Sequence, residues 1–225
     1  MNENLSSNNS DENQSRENWT KRAAEKWNEE NVTEENFKQI VKFKARLLNA
    51  EIKNIDSKYY LQAVKSLQDK KSLYIQGKIG CGKTYFAAAL IRDLWFSKRC
   101  TEEMINRGKY PWQNFVVYHD MLNLLQELRE IYQGISRNVE SAIIDECSNC
   151  DILFIDDFGI QKVTEWNLSI MDQIINNKYN NYTQLILTSN IAISKVAKNM
   201  DERIASRISE MSELIYFDRD DRRVG

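Results

Sequence analysis

The chain of 225 residues, 42% of them hydrophobic, is long enough for one globular core with an appended helical piece. A formal net charge of −2 and a pI near 5.7 exclude a globally basic nucleic-acid binder, so DNA contact would need a local basic patch or an assembly of copies. No apolar run approaches the roughly 18 residues of a membrane span, and no signal peptide opens the chain; the expectation is a cytoplasmic protein whose Cys81, Cys100, Cys147 and Cys150 stay reduced.

Residues 1–18 are Asn, Ser and Glu with almost nothing apolar, which predicts a disordered tail. Trp19 and Trp27 are spaced to share a helix face, either as a partner anchor or as a cap on the core. Thr33-Glu34-Glu35-Asn36 reads as a helix start, and Phe37, Ile40, Val41, Lys44 and Leu48 continue the period to about Asn49. Lys38, Lys42, Lys44 and Arg46 make this stretch basic, as a solvated face or a nucleic-acid surface. A second helix is predicted over Ser57 to Gln68 with Tyr60, Leu61, Val64 and Leu67 inward, and Asp69-Lys70-Lys71 breaks it.

Leu73-Tyr74-Ile75 is a short apolar strand that leads into Gly77-Lys78-Ile79-Gly80-Cys81-Gly82-Lys83-Thr84 and then the helical run from Tyr85 to Leu90. Strand, G-x-x-x-x-G-K-T and helix together make a phosphate-binding P-loop. Gly77, Gly80 and Gly82 let successive backbone N–H groups turn inward as an anion nest, with Cys81 between them. The helix N-terminus at Lys83, Thr84 and Tyr85 adds partial positive charge. Lys83 is expected to reach the β- and γ-phosphates of ATP, and the Thr84 hydroxyl to bind Mg²⁺.

The helix from Lys83 to about Lys98 is followed by a connection holding Gly108 and Pro111, then the strand Phe115-Val116-Val117-Tyr118. Asp120 can cap the next helix, whose apolar positions include Leu122, Leu125, Leu128 and Ile131; Gly134 loosens its end, and Val139 to Cys147 forms another short helix. Cys147-x-x-Cys150 has half a zinc spacing but lacks a matching second pair, so it reads as two thiols ahead of a core strand. Ile152-Leu153-Phe154-Ile155 is apolar throughout, as in a parallel strand covered on both faces, and ends in Asp156-Asp157. Carboxylates at the C-terminal end of such a strand lie where open α/β sheets place ligands. This resembles a Walker B strand: Asp156 would hold Mg²⁺ and Asp157 would act as general base on the attacking water.

A helix is predicted from Trp166 to about Tyr179 with Leu168, Met171, Ile174 and Ile175 inward. Gln184 to Asn190 is a further buried strand, and Asn190 at its end can orient water or meet the γ-phosphate, unless it only shapes the turn. Arg203 and Arg207 then share one helix face, where they can reach a neighbouring copy's γ-phosphate or pair locally with Glu202 or Glu210. Ile215-Tyr216-Phe217 is a last short strand before Asp220-Asp221-Arg222-Arg223.

In this order and at these separations the motifs resemble the AAA+ ATPases, and within them the DnaC/DnaI-type replicative helicase loaders and their IstB-like relatives. The resemblance rests on GKIGCGKTYFAAAL, FVVYHDMLNLLQELRE, CDILFIDDFGIQKVTEW, LILTSNIAIS, ERIASRI and DDRR, covering residues 55–225. It implies an α/β P-loop fold of AAA+ type: three α/β/α layers on a mostly parallel sheet, a helical N-terminal segment in front and a reduced or absent C-terminal lid. It implies that Asn190 is sensor 1, that Arg207 is an arginine finger with Arg203 beside it, and that Arg223 is a sensor 2 arginine acting in cis. It further implies self-association through ATP sites, a single-stranded DNA path along the helix after Tyr118, and a replicative hexameric helicase bound through residues 1–54, of which 19–54 form a helical partner-binding segment. Asp157 stands where many such proteins carry Glu, so a nucleotide-gated interaction module with negligible hydrolysis stays open beside the helicase loader. An IstB-like transposition ATPase partnering a transposase and duplex DNA is the other alternative.

Overall fold

The structure, a computed structural model, describes residues 21–97, 115–134, 137–159 and 164–218. The expected tail, Trp19, the Gly108–Pro111 connection and Arg223 lie outside the described residues.

Residues 21–31 are helical (α1), followed by α2 (Glu34–Val41) and two 3₁₀ turns, Ala45–Leu47 and Ile52–Asn54. Then come α3 (Ser57–Gln68), β1 (Ser72–Gly77), α4 (Lys83–Ser97), β2 (Val116–Asp120), α5 (Met121–Gly134) and α6 (Arg137–Asn149). The remainder is β3 (Ile152–Asp156), α7 (Glu165–Asn180), β4 (Gln184–Ser189), α8 (Ile193–Asn199), α9 (Glu202–Met211) and β5 (Ser212–Phe217). The five strands make one sheet in the order β2-β3-β4-β1-β5, and every pairing is parallel. The chain leaves the sheet at β1, starts again at the far edge with β2, returns strand by strand to β4, and then crosses β1 to reach β5. Because all strands run one way, the turns after β1, β3 and β4 open on the same edge.

Strand alternation sorts the apolar side chains into two cores. Leu73, Ile75, Phe154 and Ile186 face a cluster built with α2, α3 and α4, whereas Tyr74, Leu153, Ile155, Leu185 and Leu187 face one built with α5 to α9. The result is the expected three-layer α/β/α arrangement. α4 buries Phe86, Ala87, Ala88, Ala89, Leu90, Ile91 and Trp95, apolar nearly all round because it lies between the sheet and the N-terminal elements.

Three local expectations need correction. The helix begun at Thr33, whose hydroxyl accepts from Asn36 N, stops at Val41 instead of near Asn49, because Lys42 takes a left-handed conformation (φ 52°). The chain then turns so that Phe43, Leu47 and Ala50 enter the core, while Ile40 stays exposed. α3 has its predicted bounds but is rotated: Tyr59, Ala63, Ser66 and Leu67 are buried, and Leu61 is 64% exposed. On α5 the inward residues are Leu124, Leu125, Leu128 and Ile131, with Leu122 outward.

Trp27 packs on the N-terminal core cluster. Cys147 and Cys150 are fully buried, and Lys178, also buried, donates to Cys150 O and lies 3.1 Å from Cys150 Sγ. Burial, with the neighbouring Cys150 and Glu146, pushes the Cys147 thiol up to about 12. The pair is thus core lining that joins α6 to α7, as two thiols ahead of a strand would be.

Candidate functional site

The turn after β1, the N-terminus of α4 and the ends of β3 and β4 enclose a cavity of about 550 Å³. Gly80, Gly82, Lys83, Thr84, Tyr85, Asp157 and Asn190 all line it, together with Ile79, Arg46 and Leu47. Residues predicted from segments more than 100 positions apart therefore meet at one place.

Two glycines have distinct reasons to be there. A Cβ on Gly77 would sit 2.5 Å from Phe217 O, so the close approach of β5 excludes a side chain. Gly82 has φ +99°, a conformation that other residues adopt at a cost. Cys81 is fully buried beneath the loop, 3.9 Å from Lys83 Nζ. Lys83 is itself buried and donates to Gly77 O at 3.0 Å and Lys78 O at 2.7 Å. Its hydrogen-bond partners are thus neutral carbonyl oxygens and a thiol, groups that an anion can displace with stronger, charge-assisted bonds.

Asp156 is buried at the end of β3 and its Oδ1 accepts from Thr84 Oγ1 at 2.7 Å and from Thr188 Oγ1 at 2.5 Å. Asp157 follows in a left-handed conformation, φ 56°, which turns its carboxylate into the cavity. Asp120, paired with Asp156 across the β2–β3 ladder, completes a cluster: oxygens of Asp120, Asp156 and Asp157 lie within 4.8 Å of one another. Burial, then the charges of Asp156 and Asp120, raise the Asp157 carboxyl above its ordinary range, with Lys83 and Lys44 opposing. Burial also works to raise Asp120, but Lys44 at 2.8 Å and the amides of Asn123 and Leu122 outweigh it and hold it low. Carboxylates with the Thr84 hydroxyl form an all-oxygen donor set, which fits a hard divalent cation such as Mg²⁺. Among the described residues, Asn190 Oδ1 is buried at the cavity without a hydrogen-bond partner.

Arg203 and Arg207 are not part of this cavity. Arg203 pairs with Asp201 at its own helix start, and Arg207 Nη1 donates to Asp172 of α7 at 2.6 Å. The local partners considered for them, Glu202 and Glu210, are not the ones used; Glu210 instead accepts from Tyr179. Sequence reasoning missed residues at the cavity and at the carboxylate cluster beside it. Lys44 and Arg46 appeared there only as a basic stretch, Asp120 only as a cap (which it also is, accepting from Leu122 N and Asn123 N). Tyr85 has a second role, since its hydroxyl accepts from Glu51 N and Asn54 Nδ2 and so pins the second 3₁₀ turn to α4.

Comparison with known proteins bears on the family and the fold. The chain is similar to the replicative helicase loader DnaC of Escherichia coli (strain K12), 24% identical over 137 residues, covering 61% of this chain and 49% of that protein. It spans about half the length of the curated relatives it matches. Among solved structures it superposes on the crystal structure of the DnaC helicase loader with a TM-score of 0.58 at 20% identity, covering 77% of this chain and 99% of that one. AMPPCP-bound DnaA from Aquifex aeolicus gives a TM-score of 0.57 at 19% identity, covering 76% of this chain and 51% of that one. At these identities the structural likeness is one of fold. The model of the family Novel STAND NTPase 3 matches residues 55–222, a span that contains the glycine loop, the paired carboxylates, Asn190 and both arginines. On this match the chain, an AAA+-type P-loop fold, belongs to the Novel STAND NTPase 3 family.

Proposed function

We propose that the chain is an ATPase that loads a replicative hexameric helicase onto single-stranded DNA. The observation that carries the reading is the convergence of Lys83, Thr84, Asp156, Asp157 and Asn190 at one cavity, with Arg203 and Arg207 held outside it. Among the described residues Arg46 is the arginine that lines the cavity, while Arg203 and Arg207 stand outside it, so in this reading the site is half a phosphoryl-transfer site and a second copy supplies Arg207.

In this reading Lys83 exchanges its carbonyl partners for the β- and γ-phosphates, a charged-for-neutral substitution that strengthens each hydrogen bond. Thr84 and Asp156 would hold Mg²⁺, which would neutralise phosphate charge when bound. Asp157 accepts the proton of the attacking water, and Asn190 Oδ1, lacking another partner, accepts from that water and orients it. Arg207 of a neighbouring copy stabilises the transferring phosphoryl group, with Arg203 beside it. The hexameric helicase is held through the N-terminal segment, residues 1–54, and single-stranded DNA through backbone contacts along the assembly. The names of the similar helicase loaders support the helicase partner, and a structurally similar replication initiator DnaA, bound to AMPPCP and single-stranded DNA, supports the DNA partner. A cytoplasmic location follows from this role, and among the described residues no helix is long and apolar enough to cross a membrane.

The test is binding of a fluorescent ATP analogue, turnover with and without single-stranded DNA, and capture of the cognate hexameric helicase. Lys83→Ala is expected to abolish nucleotide binding, and a chain lacking residues 1–33 to lose helicase. Wild-type binding by Lys83→Ala, or capture of a transposase in place of a hexameric helicase, overturns the loader reading.

A further inference from the structure

Asp156 and Asp157 depend on a residue that neither lines the cavity nor belongs to the P-loop. Thr188, on β4, is fully buried. Its Oγ1 donates to Asp156 Oδ1 at 2.5 Å and accepts from the backbone N–H of Asp157 at 3.1 Å. A hydroxyl has one proton, and here the carboxylate takes it, so the lone pairs are left for the amide. The backbone around it repeats the grip: Phe158 N donates to Thr188 O at 2.8 Å, and Ser189 Oγ donates to Phe158 O at 2.7 Å.

These bonds have a directional consequence. Asp156 Oδ1 accepts from two hydroxyls, Thr84 and Thr188, which fixes the rotation of the carboxylate and leaves Oδ2 for a cation. Asp157 sits at φ 56°, a left-handed conformation that a side-chain-bearing residue adopts at a cost and that persists where neighbours hold it. The amide that Thr188 accepts from belongs to that same strained residue. One hydroxyl therefore sets both the rotation of the Asp156 carboxylate and the turn that carries Asp157.

We propose that Thr188 is a positioning residue for nucleotide hydrolysis, acting through Asp156 and Asp157 without touching nucleotide. The inference rests on the hydrolysis reading above. Thr188→Val keeps shape and removes the hydroxyl; Thr188→Ser keeps the hydroxyl and removes a methyl. The first readout is kcat and KM for ATP. The second is the Mg²⁺ concentration for half-maximal binding of a non-hydrolysable ATP analogue, which needs no turnover. Loss of a residue that orients a metal ligand costs about 10–100-fold in metal affinity or activity. Thr188→Val is expected to lower kcat by that factor with KM little changed and to raise the Mg²⁺ requirement, and Thr188→Ser to restore most of both. Thr188→Val behaving as wild type in both readouts overturns the proposal, as does Thr188→Ser behaving like Thr188→Val. Folding is checked by circular dichroism, and Thr188→Cys replaces the valine variant if that does not fold. If the wild-type chain lacks turnover, the hydrolysis reading falls and the Mg²⁺ readout alone decides Thr188.

Discussion

Arg207 Nη1 donates to Asp172 Oδ1 across 2.6 Å, tying α9 to α7 within one copy of the chain. The two side chains are 26% and 34% exposed, so water competes for both and the pair is worth about 0.2–1 kcal/mol. A guanidinium held so lightly can be drawn to a phosphate of another copy. Arg207→Ala is expected to bind ATP normally and to lose about 10³-fold or more of the turnover that appears at high protein concentration. Asp172→Asn is expected to shift the opposite way, reaching half-maximal turnover at a protein concentration lower by up to about fivefold. Turnover titrated against protein concentration checks both, and an unchanged curve for Arg207→Ala removes the finger assignment.

The pH profile should report the carboxylate cluster. Asp157 is raised by burial first and by Asp156 and Asp120 next. Its ionised form is the working base, so turnover falls as pH drops through a pKa above the ordinary 3.8. Asp120→Asn removes one of the repelling charges and leaves Lys44 in place. The acid limb of kcat is then expected to move to lower pH. A limb that stays put, measured over the acid range in wild type and variant, assigns the titration to another group.

Phe37 lies at the centre of an aromatic group in the N-terminal core, 5.8 Å from the Phe43 ring and 5.7 Å from that of Trp95. Fully buried, it leaves a large void on truncation. Phe37→Ala is expected to cost about 3–5 kcal/mol in urea unfolding. Ile40→Ser, on the exposed side of the same helix, should change stability by no more than about 0.5 kcal/mol.

Burial holds Lys178 below its ordinary 10.5, with the two thiols and Asp151 opposing. Between the lowered value and 10.5 the unfolded chain binds a proton that the folded chain does not, so this group makes stability rise with pH across that window. Cys147 works in the opposite direction above its ordinary 9.0, because the folded thiol keeps a proton that the unfolded one releases. Lys178→Met should therefore remove the rising part. The stability of wild type minus that of Lys178→Met, from urea unfolding at several pH values, is expected to increase toward 10.5; a flat difference refutes the lowering of Lys178 by burial.

What could be read from sequence was whatever is written locally. The glycine loop, the apolar run ending in Asp156-Asp157 and the strand ending at Asn190 each carry their pattern within a few residues, and all meet at the cavity. The Lys44–Asp120 pair spans 76 positions and Arg207–Asp172 spans 35, so neither leaves a mark on any one segment. The face of α3 was misjudged because Ala63 and Ser66, small and weakly hydrophobic, are what the sheet accommodates there, and bulkier Leu61 is left outside. Thr188 lies within the strand read from Gln184 to Asn190 with nothing local to mark it; only the three-dimensional register with β3 makes its hydroxyl a partner of two residues at once.

The stretch between α2 and α3 has a mechanical consequence. Phe43, Leu47 and Ala50 are wedged into the core, Arg46 stands at the cavity mouth, and Lys44 is bonded to the carboxylate beside Asp156. A fragment starting at residue 55, where the family match begins, would lack one wall of its own interior. A load applied to this stretch is transmitted to Asp120 and the cavity rim without passing through the sheet, so the handle and the latch are the same piece of chain.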